Sequence, residues 1–321
     1  GLSAIRPVTN SGIIRPLLQV TRSQVVDWLT QHELTWCEDA TNQDPGFARN
    51  RIRHQLLPQL QVEWNPQLAA ILAQTADWAL AEDEYWRDEL PRLTENWVRF
   101  AKGGVILVAG RLTALPVAAA RRVIRDVIER VKADLLGVDF AHIEAIRHLA
   151  ARQEGDGRVQ IPGMEAVRSF NWLRFAKSSP QEPFAPIHFV PGTGPLPSSD
   201  SLRFVLESNE GIYTIDRVYN EDRKALDWEK VCREVERHPG AALTIRTWRP
   251  GDQYQPRGRA GMEKLKDLFQ EYRIPSWERP NWPVLAVGNA IAWAGEFGPA
   301  AEFAVDTNSR TVLSICWDRQ G

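Results

Sequence analysis

Between Lys177 and Ser201 the chain sets Pro180, Pro183, Pro186, Pro191, Pro195 and Pro197 among serines and glycines. Each proline fixes φ and removes a backbone donor, so a helix through this stretch would break repeatedly and a central strand would lose its ladder. The sequence therefore predicts a partly extended, exposed linker over residues 179–201. What lies on either side must bury its own core, and 321 residues with 43% hydrophobic content are ample for two or three such cores.

The charge balance narrows the class of partner. Against 39 basic residues stand 41 acidic ones, for a net charge of −2. A nucleic acid would have to meet a local patch on a neutral body. Cys37, Cys232 and Cys316 are scattered and odd in number, which argues against a disulfide framework and fits no metal-ligand spacing. No apolar run is long enough to cross a bilayer and no signal peptide is read, so the expected location is cytoplasmic, with no membrane partner.

The stretch from Glu38 to Pro58 joins a turn crowded with carboxylates and amides to a short cationic helix. Asp44 as N-cap and Pro45 as first helical residue predict a helix start there. Arg49 and Arg53 then fall one turn apart, with Asn50 and His54 beside them and Ile52, Leu56 and Leu57 pointing inward. Two neighbouring guanidiniums call for an anion. Glu38 or Asp39 folding back would serve, and so would a phosphate or nucleotide; composition leaves both open.

Around this stretch the helical pattern is regular. Thr21-x-x-Gln24 forms a capping box for a helix that ends near Glu33, with Val25, Trp28 and Leu29 as its apolar stripe. A long helix is expected from Asn65-Pro66 to Pro91, apolar at Leu68, Ile71, Leu72, Thr75, Trp78, Ala79, Tyr85 and Trp86 and acidic on its outer face. Gly103-Gly104 precedes a strand, Val105–Val108. Pro116 opens a helix with Val117, Ala120, Ile124, Val127, Ile128 and Val131 inward, and Arg121, Arg122 and Arg125 on its other side are either a solvated surface or a phosphate contact. A helix over Phe140–Ala151 carries His142 and His148 at a spacing that does not suit zinc. A hairpin follows, with Val167–Phe175 read as one strand. Of the thirteen tryptophans, at least ten are expected in cores or interfaces, leaving Trp248 and Trp277 as candidate RNA neighbours.

Beyond the linker, strand candidates at Leu202–Leu206 and Gly211–Ile215 precede a segment in which Arg246, Arg249, Arg257, Arg259, Lys264, Lys266, Arg273 and Arg279 outnumber Asp252, Glu263, Asp267, Glu271 and Glu278. Physically it is a strand, a glycine-rich turn and an amphipathic helix with Leu265, Leu268 and Phe269 inward. Such a rim suits sugar-phosphate binding read by shape and charge. Short strands at 283–288, 290–294 and 311–315 close the chain.

Several of these strings carry a family resemblance. Ile14-Arg15-Pro16-Leu17-Leu18, Glu38-Asp39-x-Thr41-Asn42 and Arg49-Asn50-Arg51-Ile52-Arg53-His54-x-Leu56-Leu57-Pro58 resemble the tail of the catalytic domain of the tRNA(Ile)-lysidine synthetase family, in the PP-loop ATP pyrophosphatase superfamily. Arg246-x-Trp248-Arg249-Pro250-Gly251-Asp252 and Lys264-Leu265-Lys266-x-Leu268-Phe269-Gln270-Glu271 resemble that family's C-terminal domain.

The resemblance implies a mixed α/β and α+β architecture. Its parts are the tail of a parallel-sheet PP-loop domain (1–62), a largely helical substrate-binding domain with a small hairpin (63–178), the linker (179–201) and a small α+β C-terminal domain (202–321). It implies a ligase that uses ATP and Mg²⁺ to join free L-lysine to C2 of the wobble cytidine of tRNA(Ile) with a CAU anticodon. Glu38, Asp39, Asn42, Arg49, Asn50 and Arg53 would form a wall of the substrate site. Arg121, Arg122, Arg125, Arg246, Arg249, Arg257, Arg259, Lys264, Lys266 and Arg279 would meet the tRNA. The family's nucleotide loop, Ser-Gly-Gly-x-Asp-Ser, is not in this sequence; Ser198-Ser199-Asp200-Ser201 lacks its glycines and is read as linker. The expectation is the enzyme without most of its ATP-binding half, inactive alone, whether as an excised piece, a shortened gene or one chain of a split enzyme. A noncatalytic tRNA-binding module is the rival reading, and no metal site and no catalytic residue is assigned.

Overall fold

Asn171 shows how local chemistry builds the largest sheet. Its backbone carbonyl accepts from Ala109 N at 2.8 Å and its side-chain oxygen from Gly110 N at 2.9 Å, pinning a hairpin turn to the start of a helix. In this computed structural model the described residues are 5–9, 12–101, 103–153, 155–177, 184–189, 202–208, 225–238 and 242–317. They fall into two units, 1–94 and 95–321.

In the first unit, α1 (Arg22–Gln31) begins at the expected capping box: Thr21 Oγ1 accepts from Gln24 N, and Gln24 Oε1 accepts from Thr21 N at 2.9 Å. A short cationic helix, α2 (Ala48–Arg51), continues through a widened turn at Ile52–Leu56 into α3 (Leu57–Glu63). The expected start at Pro45 is corrected to Ala48. The Asp44 carboxylate accepts from Gly46 N at 2.8 Å in an Asx turn and is not available as a helix cap.

Helix α4 (Leu68–Thr94) does not stop at Pro91. The missing proline donor removes one bond from a helix long enough to carry the loss, and Thr94 Oγ1 donates back to Leu90 O at 2.7 Å. The apolar faces expected inside are also corrected. Ile52, Leu56, Trp28, Ile71, Leu72, Trp78 and Tyr85 are exposed, as are Trp36 and Trp64, and the residues buried in these helices are Asn50, Leu90 and Thr94.

The second unit opens with strands β1 (Val98–Ala101) and β2 (Gly104–Val108), followed by α5 (Ala109–Thr113), α6 (Val117–Lys132) and α7 (Phe140–Ala151), then β3 (Gly157–Ile161), β4 (Met164–Ser169) and β5 (Trp172–Lys177). The strands make one antiparallel sheet in the order β1-β2-β5-β4-β3. Val167–Phe175, expected as one strand, is two: the chain reverses at Phe170, whose φ of 52° lies in the left-handed region, with Ser169 paired to Trp172. Glycine is the usual residue in such a corner, so nothing in the sequence flagged it.

Period-two alternation gives the sheet two faces. Leu107, Phe175, Leu173, Met164, Ala166 and Ile161 are buried with Val123, Ile124, Val127 and Ile128 of α6 and Ile143, Ile146 and Leu149 of α7. Each such aliphatic chain contributes about 1.5–3 kcal/mol by leaving water. Val117, expected inward, lies at the exposed start of α6. The boundaries of α7 match the sequence reading, with Asp139 as N-cap accepting from His142 N at 3.0 Å.

The C-terminal part of this unit contains β6 (Ile187–Phe189), β7 (Leu202–Ser208), β8 (Ala225–Asp227), α8 (Trp228–Arg237), β9 (Leu243–Thr247), β10 (Gln253–Tyr254), β11 (Glu263–Lys264), α9 (Leu265–Glu271), β12 (Pro283–Val287), β13 (Ala290–Ala294) and β14 (Thr311–Trp317). Two larger sheets run β13-β12-β9-β6 and β7-β14-β8. β6 lies inside the proline-rich stretch, where Ile187 pairs with Ile245. The core gathers Leu265, Leu268 and Phe269 with Trp282, Trp293, Val284 and Leu313. The strand expected at Gly211–Ile215 and the Ser198–Ser201 string lie outside the described residues.

Candidate nucleic-acid interface

In the first unit the candidate site is built around a locked turn. Asp39 caps a single 3₁₀ turn, Ala40–Gln43, its carboxylate accepting from Thr41 Oγ1 at 2.8 Å and Thr41 N at 2.9 Å. These bonds, with the more distant Arg49 charge, hold its pKa below the usual carboxylate range. Asn50, 2% exposed, donates through Nδ2 to Thr41 O at 2.8 Å and Asp44 O at 2.9 Å, so the turn and α2 are one piece. Its Oδ1 is enclosed without a hydrogen-bond partner.

Neither carboxylate takes the role of folding onto the arginine pair. Glu38 bridges to Arg22 of α1 at 2.8 Å, and Asp39 is committed to Thr41. Arg49 lies over the Phe47 ring at 5.5 Å, and Arg49 and Arg53 are exposed. Among the described residues neither arginine has an ion pair within 4 Å. Asn42 shares the turn, offering its carbonyl to His54 Nε2 at 3.2 Å. Arg51, which sequence reasoning did not single out, donates to Pro45 O at 2.8 Å and Gly46 O at 3.0 Å. Its only signal was its place in a cationic run.

Two free guanidiniums and an orphaned amide oxygen can face an anion and a donor. Among the described residues no group of three His, Cys, Asp or Glu could hold a metal.

In the second unit the α6 arginines divide. Arg121 donates to Glu144 Oε1 at 2.7 Å and stacks on Phe140 at 4.9 Å. Glu144 also accepts from Arg147 at 3.0 Å, and the two arginines pull its carboxyl down to about 2. Arg122 is half-buried and Arg125 exposed.

The C-terminal cluster divides in the same way. Arg246 is 9% exposed and paired through both terminal nitrogens with Asp252. Arg257 is half-buried, with Nη1 enclosed and unbonded. Arg259 is bound to Glu271 and lies 3.6 Å from Glu263. Arg279 donates to Ile274 O at 2.9 Å and sits over Phe170 and Phe269. Burial pushes its guanidinium pKa down. Arg249, Lys264 and Lys266 remain on the surface. Arg249 stands on a tight turn in which Asp252 Oδ2 accepts from Arg249 N at 2.7 Å and Gly251 has φ of 98°. Trp248 packs edge-on against Phe269 at 5.1 Å, part of the core as much as of any surface.

Comparison with known proteins finds three family models along the chain: a PP-loop domain over residues 1–60, a TilS substrate binding domain over 107–174 and a TilS substrate C-terminal domain over 243–317. A protein named tRNA(Ile)-lysidine synthase from Solibacter usitatus is 44% identical over 318 residues, covering 98% of this chain and 70% of that one. Proteins of the same name from Geobacter sulfurreducens and Symbiobacterium thermophilum are 34% and 30% identical, again over 98% of this chain and over 66% and 67% of theirs. The chain thus spans about two thirds of the length of these relatives. A solved structure titled as the TILS C-terminal domain is 24% identical and covers 41% of this chain and 98% of that one, at a TM-score of 0.30.

Proposed function

Because this chain belongs to the tRNA(Ile)-lysidine synthase family, we propose that it forms the RNA-holding part, and one wall of the substrate site, of a ligase that installs lysine on an isoleucine tRNA. The observation that carries this reading is the 44% identity sustained over 98% of the chain, which crosses all three matched segments and the linker between them. The domain division that goes with this proposal is a catalytic-domain tail over 1–62, a substrate-binding domain over 63–178, a linker over 179–201 and a C-terminal domain over 202–321.

In the proposed reaction O2 of the wobble cytidine in the CAU anticodon attacks the α-phosphorus of ATP, the bond from that phosphorus to the β-phosphate oxygen breaks and pyrophosphate leaves, so that C2 carries an adenylate. The ε-amine of free lysine attacks C2; the C–N bond forms, the C–O bond to the phosphate breaks, and AMP leaves. Arg49 and Arg53 would offset phosphate charge at the rim. Glu38, Asp39, Asn42 and Asn50 would shape the wall, with the Asp39 carboxylate and the Asn50 amide nitrogen holding the turn. No residue of this chain is given the role of acid, base or nucleophile. Arg125, Arg249, Lys264 and Lys266 are the exposed cations we assign to the tRNA backbone, with Arg121, Arg122, Arg246, Arg257, Arg259 and Arg279 bracing the surfaces that carry them. The proposed location is cytoplasmic.

The test is incorporation of labelled lysine into an isoleucine tRNA transcript in the presence of ATP and Mg²⁺, with and without a polypeptide carrying the Ser-Gly-Gly-x-Asp-Ser loop. We expect none from this chain alone and restored incorporation on addition. The second reading is a noncatalytic tRNA-binding module, which needs only the exposed cations Arg125, Arg249, Lys264 and Lys266. It would prevail if transcript binding were tight and salt-sensitive while no complementing polypeptide restored incorporation.

A further inference from the structure

The sheet of the second unit has one face on α6 and α7. Its other face, by the same alternation, presents Gly104, Arg174, Ala176, Glu165, Val167, Arg158 and Gln160, linked across the ladder by the pairs Gly104–Ala176, Glu165–Ala176, Val167–Arg174, Arg158–Val167 and Gln160–Glu165. This face is not bare. Ser276, Trp277 and Pro280, from the segment between α9 and β12, stand opposite and enclose with it a cleft of about 940 Å³.

One end of the cleft is fastened. Ser276 N donates to Ser169 Oγ at 3.0 Å, Ser169 Oγ donates to Asp156 at 2.8 Å, and the Arg279 guanidinium lies 5.7 Å from the Phe170 ring centre. The two lobes of the unit therefore form the walls of one built site.

The lining is cationic although the chain as a whole is not. From this face come Arg158 and Arg174 with a single lining carboxylate, Glu165, while Lys177, paired with Met164, and Arg130 of α6 join the lining from the helix side of the sheet. Glu165 is 3.3 Å from Arg158, whose side chain keeps 66% of its exposure. A solvated pair of this kind holds its partners weakly and can exchange for a better anion. Outside the lining, Asp126 pairs with Arg130 at 2.8 Å and the Glu278 charge acts on Arg174. One ring, Trp277, stands opposite the face; the other in the lining, Phe100, 66% exposed, pairs with Val105 on the helix side and lies under the Arg130 guanidinium at 5.5 Å. At the floor Gly103, with φ of 89°, leaves the backbone open: a Cβ there would meet only the Arg174 guanidinium, at 3.9 Å.

Spread cations, two rings and an accessible backbone are the components of a single-strand nucleic-acid groove, in which phosphates track charge and bases rest on π faces without edge readout. The volume lies at the upper end of what one drug-sized ligand fills, and the lining cations Arg130, Arg158 and Lys177 are exposed, which suits a solvated chain of phosphates. We propose that this cleft seats a short single-stranded RNA segment, its phosphates along Arg158 and Arg174, passing Lys177 where the segment rounds the end of the sheet, and a base against Trp277. This rests on the reading of the chain as a tRNA-handling protein and adds to it a strand site apart from the exposed cations assigned above.

The probe is a fluorescently labelled RNA hexanucleotide titrated into the full chain and read by anisotropy, beside an isoleucine tRNA transcript. We expect the hexamer to bind, the Arg158→Glu/Lys177→Glu double variant to weaken it at least tenfold, and 4-thiouridine in the hexamer to crosslink to the Phe100 or Trp277 segments. Both substituted positions are solvent-facing, so the fold is retained, and unchanged far-ultraviolet circular dichroism checks this. Absence of hexamer binding, or binding indifferent to the double variant, overturns the proposal. So does displacement of the hexamer by AMP at equal concentration, which would make the occupant a mononucleotide. Failure of the transcript to bind while the hexamer binds at the cleft would instead sink the tRNA reading and leave the strand site standing.

Discussion

Arg246 and Asp252, six residues apart, face each other across a tight turn with Nη1 2.7 Å and Nη2 2.8 Å from the two carboxylate oxygens, both side chains almost wholly covered. A guanidinium that a sequence reading assigns to RNA is thereby spent inside the protein. The pair fixes the turn that projects Arg249, whose backbone N–H is held by the same carboxylate. Asp252→Ala leaves the Arg246 charge covered and unpaired, a loss of about 3–5 kcal/mol. The expected result is a large fall in the denaturation midpoint of the second unit, measured by urea unfolding. Arg246→Lys, which keeps charge but cannot bond bidentately, is expected to fall between.

Charge reversal at the exposed cations Arg249, Lys264 and Lys266 leaves that core untouched. If they meet phosphates, each reversal lowers affinity for an isoleucine tRNA transcript and flattens the dependence of log K on log salt by about one unit per lost contact. A triple variant with wild-type affinity and slope would remove these residues from the interface.

Glu144 provides a pH signature. Its carboxyl is drawn from 4.5 down to about 2 by hydrogen bonds from Arg121 and Arg147. A depressed carboxylate stabilises the fold fully above its unfolded value, and that contribution drains away as pH falls from about 4.5 towards 2. Glu144→Gln is expected to flatten the acid limb of the stability curve in that window while leaving stability at lower pH nearly unchanged. Thermal melts at stepped pH read this directly.

Asn50→Ala removes both bonds that tie Thr41 and Asp44 to α2. Thr41 O and Asp44 O keep their backbone donors, Asp44 N and Phe47 N, so the cost is that of two ordinary hydrogen bonds, each about 0.5–1.5 kcal/mol, localised to the turn. Faster amide exchange at Asn42, Asp44 and Gly46 with unchanged exchange in the second unit would confirm it; a global change would refute the local account.

Gly104→Ala tests the packing of β2 on β5. A Cβ at residue 104 would stand 2.1 Å from Phe175 O, and a backbone carbonyl inside a sheet cannot swing aside as a side chain can. A loss of roughly 1–3 kcal/mol or more is expected. At Gly261, where a Cβ meets nothing within 4 Å, the same substitution is expected to be nearly silent.

What the sequence disclosed was what short-range chemistry decides. The Thr21 capping box, the limits of α7 and the inward face of α9 depend on residues within one or two turns of each other, and all three stand as read. The misreadings have equally physical sources. Asp44 had two possible uses and took the Asx turn; Pro91 was outweighed by a helix of 27 residues; Phe170 adopted a corner that its type rarely occupies. Among the site candidates, Arg246 and Arg259 read as surface charge because their partners, Asp252 and Glu271, are revealed only when the chain folds back. The cleft was illegible for a stronger reason: Arg158, Arg174 and Trp277 come from three segments that only strand pairing and the second lobe bring together.

The Ser169 hydroxyl, giving its proton to Asp156 and taking one from the Ser276 amide, has an evolutionary corollary. A joint that needs one small hydroxyl on one lobe and an unobstructed amide on the other makes each lobe's history hostage to its neighbour's. Chimeras that splice the C-terminal lobe of a distant relative onto this sheet should therefore tolerate wholesale surface change, yet fail where the donor brings proline to the position of Ser276 or the recipient loses its hydroxyl.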